Sequence, residues 1–229
     1  MTEETTNQTP DQPQEEMVED YGVAKTGVMG LFPTPLVISE LSDITLCDRL
    51  EKRIKELRKK QQGTFEAGNF TTFDDLQHVE GFEEFSQLVL RHTDVALDFL
   101  KVSREAHYIT NMWANITNTN HRHPVHGHPN ALLSGILYIR TPDKCGPLVF
   151  PDPRPAARVF EPSYTEMNEW NAGRFTYPVK KGHLLLWPSW AHHGVDRGFG
   201  NEKDERIAIA FNIHMVGKIT TRTATLELS

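Results

Sequence analysis

The sequence predicts a mainly β protein with flanking helices, arranged as a jelly-roll barrel with the helices packed on its outer face. Three observations carry this expectation. Apolar residues recur at helical spacing up to about residue 99 and at strand spacing from residue 107 onward. The later segments are short and separated by Pro and Gly, as in antiparallel all-β folds. A chain of 229 residues, 38% hydrophobic and 24% charged, is long enough for one domain with a sizeable core, and barrels of such length commonly stay single.

Taken in order, residues 1–25 combine Pro, Gln, Thr and acid with almost nothing to bury, so they read as a disordered acidic tail ahead of a single domain over 26–229. A first helix carries the stripe Leu46, Leu50, Ile54 and Leu57, with a cap signal from Thr45 to Asp48 and a stop at Gly63. A second carries Phe82, Phe85, Val89, Ala96 and Phe99. Six strand-like segments follow: HYITNMWANIT, ALLSGILYIR, GPLVF, RFTYPV, HLLLW and RIAIAFNIHMV. Runs of helices followed by runs of short strands fit a barrel with helices outside it.

Charge and cysteine content exclude several classes. Seven of the 31 acidic groups lie in residues 1–20, which hold no Lys or Arg, and the remaining 24 balance the 24 basic residues. A neutral body lacks the basic stripe of a nucleic-acid binder. Cys47 and Cys145 are too few for a disulfide framework and lack the spacing of a zinc ribbon. No apolar run approaches the ~18 residues of a membrane span, and the N-terminus is acidic where a signal peptide would be basic and then apolar. The expectation is a cytoplasmic protein without a membrane or nucleic-acid partner, acting on a small molecule.

The densest chemistry is HRHPVHGHP, residues 121–129, which holds four of the eleven histidines. In a strand, residues two apart point to one side, so His126 and His128 can offer two imidazoles to one metal ion. His121 and His123 also alternate, but Pro124 interrupts them, which places that pair in a loop at the barrel mouth. A third ligand is expected from HLLLWPSWAHHGVDRG, as His192 or His193. In RIAIAFNIHMV, Arg206, Ala208, Ala210 and Asn212 share one face, opposite the apolar Ile207, Ile209, Phe211, Ile213 and Met215. Arg206 followed by two alanines reads either as a surface ion pair with Glu202 or Asp204, or as a guanidinium fork facing space left for a carboxylate.

Four stretches, HGHPNALLSGILYI, GPLVFPDPR, WPSWAHHGV and ERIAIAFNI, in that order and spacing, resemble the 2-oxoglutarate/Fe(II)-dependent oxygenase superfamily. More narrowly, they are similar to a small bacterial and phage group with a His-x-His-Pro, Ser-Gly-x-x-Tyr and Pro-Ser-Trp-x-x-His pattern. The resemblance covers about residues 30 to 217. It implies a double-stranded β-helix, cupin-like, and a non-haem iron dioxygenase that uses Fe(II), 2-oxoglutarate and O2 to hydroxylate a C–H bond. It assigns His126 and His193 to the metal and Arg206 to the distal carboxylate of 2-oxoglutarate, with Tyr138 and Asn115 facing the same cosubstrate. Two departures stand out: His128 occupies the position where the superfamily has a carboxylate, and Ala208 replaces a cosubstrate-binding serine.

The alternatives keep the barrel and change the chemistry. Three histidines with an open position can also make a catalytic zinc site of a hydrolase or lyase, and imidazole suits zinc, nickel and copper as well as iron. A non-catalytic metal-binding barrel is the other. The segment from Asp152 to Arg174 is long for a barrel loop and reads as a lid, and its Arg154, Arg158 and Arg174 point to an acidic small-molecule substrate.

Overall fold

The computed structural model describes residues 27–154, 156, 159–220 and 223–228. The acidic tail therefore lies outside the described residues, as does Arg158. One compact unit begins at Pro35. Its elements are β1 (Val37–Glu40), α1 (Thr45–Lys59), β2 (Gly63–Glu66), β3 (Asn69–Thr72), a 3-10 turn at Leu76–His78 and α2 (Glu83–Phe99). Then come β4 (Ala106–Asn118), β5 (His123–His126), β6 (Leu133–Arg140), β7 (Leu148–Pro151) and β8 (Arg174–Tyr177). The chain continues through β9 (His183–Pro188), β10 (His193–Val195), β11 (Glu205–Thr220) and β12 (Thr225–Leu228). No described helix is long and apolar enough to cross a membrane.

Both helices form where the apolar stripes place them, but their ends differ from expectation. At α1 the capping acceptor is Asp43, whose Oδ1 receives the Thr45 backbone N–H at 2.9 Å and the Thr45 hydroxyl at 2.6 Å. Thr45 is thus the first helical residue, and the helix ends at Lys59, before Gly63, which opens β2 instead. The α1 stripe Leu46, Cys47, Leu50, Ile54 and Leu57 is buried. In α2 the i, i+4 series Phe85, Val89, Thr93 and Leu97 faces inward, with Glu83 and Glu84 complementing the helix dipole in the first turn. Phe99, expected on that stripe, is 72% exposed.

Two antiparallel sheets face each other, one in the order β1-β9-β6-β11-β4-β3-β2 with β12 paired to β11, the other in the order β5-β10-β7-β8. Strand alternation divides the interior in two. One set of faces, with Leu137, Leu184, Leu186, Ile207, Ile209, Phe211 and Ile213, packs with both helix stripes into a single core. The opposite faces put Ile136, Tyr138, Leu185, Trp187 and Ala208 against Leu148 and Tyr177 of the smaller sheet. The two-face reading of β11 from the sequence is therefore the actual division between helix-side core and barrel interior. Each fully buried large apolar side chain stabilises the fold by about 1.5–3 kcal/mol; Leu50, fully buried in α1, is a position where truncation to alanine should cost about 2–5 kcal/mol.

Candidate metal centre

His126 closes β5 and His193 opens β10, and the two residues stand directly opposite each other in the register. Gly194 permits that approach, because a Cβ there would lie 2.8 Å from the carbonyl oxygen of His123. His128 lies two residues past the end of β5, and its backbone N–H donates to the Ser189 carbonyl at 3.2 Å. The structure brings His126 and His128 together, but by a route that strand alternation did not anticipate: β5 ends at His126, and irregular chain at 127–128, not a continuous strand, carries His128. Ligand atoms of His126, His128 and His193 lie within 4.8 Å of one another. Their ring centroids are 4.6, 4.9 and 5.1 Å apart.

Hydrogen bonds orient two of these rings. His126 Nδ1 donates to the Pro124 carbonyl at 2.9 Å, and His193 Nδ1 donates to the Ala191 carbonyl at 3.1 Å. With Nδ1 protonated, each Nε2 carries a lone pair for a metal. Burial, then the neighbouring His126 and His123, lowers the pKa of His128 from an ordinary 6.5 to about 4. His193 is lowered to about 3, chiefly by burial, against an opposing hydrogen bond to Ala191. Both are neutral near pH 7, the state in which imidazole binds metal ions.

A second group of polar residues faces the barrel interior from the larger sheet. Arg206 is 8% exposed, with its guanidinium carbon 5.6 Å from the Tyr138 ring centre. Among the described residues no carboxylate pairs with it: Glu205 pairs with Arg58, and Glu202 accepts from Asn120. The surface ion-pair reading of Arg206 is thereby set aside. Two more donors, the Tyr138 hydroxyl and Trp187 Nε1, are buried without a hydrogen-bond partner among the described residues, a condition that costs about 1–3 kcal/mol for each group. Burial raises the Tyr138 pKa, so the phenol stays protonated and can donate. Ala208 lies beside Tyr138 in the register, and Ala210 is the next inward residue of β11, so small side chains floor this part of the interior. An unpaired cation and two unmet donors around small residues fit an anionic, hydrogen-bond-accepting molecule.

Other residues named from the sequence are placed differently. Asn115 lies beside Ala208 on β4, and its Oδ1 accepts from the Thr71 hydroxyl at 2.9 Å. Arg154 pairs with Asp152 and Arg174 with Asp196. His192 is exposed. His121 bonds Asn69, while the exposed His123 stands edge-on to His126 at 4.6 Å between centroids, outside the cluster of three. Sequence reasoning missed Gly194, and it missed Trp187 Nε1 as a donor; the alternation of Leu185 and Trp187 on β9 was the available signal. A separate open groove of about 650 Å³ lies between α2 and the start of β4, where Arg104 is already paired with Asp94 and Asp98.

Residues 111–212 match a family model described as "Putative 2OG-Fe(II) oxygenase". Among solved structures, a prolyl-4-hydroxylase from Pseudomonas putida superposes with a TM-score of 0.58 at 12% identity, over 80% of this chain and 94% of that one. The epimerase SnoN from nogalamycin biosynthesis, described as dependent on α-ketoglutarate, gives 0.60 at 12% identity, over 83% of each chain. HygX from Streptomyces hygroscopicus, with nickel and 2-oxoglutarate bound, gives 0.55 at 13% identity, over 79% of this chain and 82% of that one. No curated protein matches by sequence. The fold is a double-stranded β-helix with helices on one face. Over residues 111–212 the chain is thus similar to the 2-oxoglutarate/Fe(II) oxygenases, enzymes that use Fe(II) and 2-oxoglutarate, and its fold is that of solved 2-oxoglutarate-dependent enzymes.

Proposed function

We propose that this protein is a dioxygenase that hydroxylates a C–H bond of a small molecule, with Fe(II) held by His126, His128 and His193. The single observation that carries the reading is Arg206, a buried cation without a counter-ion among the described residues, on the barrel-facing side of β11. A metal-binding barrel alone gives no reason to bury such a charge. A dicarboxylate that chelates metal at one end and needs a partner at the other does.

In this reading Arg206 holds the distal carboxylate of 2-oxoglutarate, and the Tyr138 hydroxyl and Trp187 Nε1 donate hydrogen bonds to the cosubstrate. The Tyr138 hydroxyl also answers the absence of a serine at Ala208. Leu148, Leu185 and Ile136 exclude water from the same interior, which strengthens each charge-assisted bond. Iron with 2-oxoglutarate and O2 supplies the oxidation: the keto acid becomes succinate and CO2, and one oxygen atom is inserted into the substrate. Three imidazole ligands would supply lone pairs without negative charge, so the site would hold one negative charge fewer than the superfamily pattern.

HygX has been solved with hygromycin B bound and SnoN with nogalamycin RO, precedents on this fold for small molecules as bound partners. The test is succinate formation from 2-oxoglutarate by the Fe(II)-loaded protein in air, screened against small-molecule panels that include acids. A substrate that raises succinate release and gains one oxygen atom is the expected outcome. Failure of the iron-loaded protein to bind 2-oxoglutarate, together with hydrolytic activity in its zinc form, would replace this reading with the zinc one.

A further inference from the structure

The three imidazoles of the cluster are not held alike. His126 and His193 each turn Nδ1 to a backbone carbonyl two residues earlier, an acceptor that admits one tautomer. His128 instead turns Nδ1 to the side-chain amide of Asn212, 3.4 Å from its Nδ2. Asn212 is 6% exposed and lies at the centre of a buried polar group. Ser134 Oγ is 2.7 Å from its Oδ1, and Asn111 Oδ1 is 2.9 Å from its Nδ2. Ser134 Oγ also meets Ser189 Oγ at 2.8 Å, and Ser189 is the residue whose carbonyl holds the His128 backbone.

A primary amide offers a donor end and an acceptor end of nearly the same shape, so these heavy-atom positions support two arrangements of protons. With the NH2 end toward His128, Nδ1 must accept, the ring proton sits on Nε2, and Nε2 cannot bind a metal. With the carbonyl end toward His128, Nδ1–H donates and Nε2 is released. Asn212 then donates to Ser134, whose hydroxyl turns to Ser189, and the Asn111 amide reverses to donate to Asn212. Thr110 Oγ1, 3.0 Å from Asn111 Oδ1, has a second acceptor in the Asn212 carbonyl at 3.2 Å. Asn212, Ser134, Asn111 and Thr110 each keep at least one partner in both arrangements.

We infer that Asn212 is the positioning residue of the third ligand, and that the orientation of its amide decides whether His128 presents Nε2 to the metal. A carboxylate at position 128 would need no such control, because either oxygen accepts a metal without choosing a tautomer. An imidazole there does need it, and the polar group centred on Asn212 supplies it. The inference rests on the three-histidine metal site proposed above.

The test combines Zn(II) affinity, by chelator competition, with ¹⁵N NMR of histidine-labelled protein. Asn212→Leu should weaken Zn(II) by about 10- to 100-fold, the usual effect of losing an outer-shell partner of a ligand. Asn212→Asp, which can only accept from Nδ1–H, should bind at least as tightly as wild type. In a His128→Asp background, Asn212→Leu should leave affinity unchanged. In wild type, the His128 proton should sit on Nδ1 in the Zn(II) form. Equal loss from Asn212→Leu in both backgrounds would show a merely structural role and overturn the proposal, as would metal bound through His128 Nδ1. A wild type that bound no metal would overturn the metal site itself and this inference with it.

Discussion

Replacing Arg206 by methionine keeps most of the side-chain volume and removes the guanidinium. Arg206 is 8% exposed and has no carboxylate partner among the described residues, so in the proposed reading its burial is a cost that the cosubstrate offsets. The substitution should therefore act in opposite directions on two measurements. Loss of one member of a buried charge pair costs about 3–5 kcal/mol, so 2-oxoglutarate should bind ~100- to ~3,000-fold more weakly, at about 1.4 kcal/mol per tenfold. The ligand-free protein should become more stable, and a gain of only ~1 kcal/mol would raise Tm by roughly 2–4 °C for a chain of this size. Calorimetric titration of the anaerobic Mn(II) protein with 2-oxoglutarate measures the first effect, and thermal unfolding of ligand-free protein the second. Lysine should recover part of the affinity, as a point charge in place of a fork. An unchanged dissociation constant in Arg206→Met would refute the carboxylate role, and a lowered Tm would refute the claim of an uncompensated charge.

Three further outcomes are expected. His128→Asp should retain Fe(II), restoring the carboxylate of the superfamily pattern, whereas His128→Leu should lose it; equal iron content in the two would remove His128 from the ligand set. The metal-free protein should lose stability on acidification: His128 and His193 have folded pKa values of about 4 and about 3 against an ordinary 6.5, so below pH 6.5 the unfolded chain takes up protons first. The urea midpoint should fall from pH 6.5 toward pH 4, and less steeply in His193→Leu; an equally steep fall in that variant would contradict the assignment. Gly194→Ala places a Cβ 2.8 Å from the His123 carbonyl oxygen, so it should cost about 1–3 kcal/mol of strain and weaken metal binding by separating β5 from β10, read by denaturation and chelator competition.

Long elements with one clear period were legible in the sequence. β11 shows its two faces directly, and α1 and α2 show their stripes, because burial of one face leaves a repeat that survives in the order of residues. The short strands β5 and β10, of four and three residues, carry no such repeat; they form by pairing side by side in the smaller sheet. The capping residue of α1 was missed for a local reason: Asp43, two residues before Thr45, supplies the acceptor, so the helix begins one residue earlier than a threonine cap implies. At the site, residue types and spacing pointed to His126, His128, either His192 or His193, and Arg206, and the family resemblance singled out His193. The partners Asn212, Ser134 and Ser189 come from three separate elements and meet only in the folded sheet, so no spacing in the chain announces them. Arg154 and Arg174 show what spacing leaves out: Asp152, two residues away, pairs with the first, and Asp196, distant in the chain, pairs with the second.

Anaerobic equilibrium dialysis against Fe(II), followed by 2-oxoglutarate, tests the proposed centre most directly. Wild type should bind one Fe(II) per chain and then one 2-oxoglutarate, with His193→Ala losing both and Arg206→Met losing only the second. Full Fe(II) binding by His193→Ala, or 2-oxoglutarate binding by wild type that is indifferent to the metal, would contradict a shared site for iron and cosubstrate.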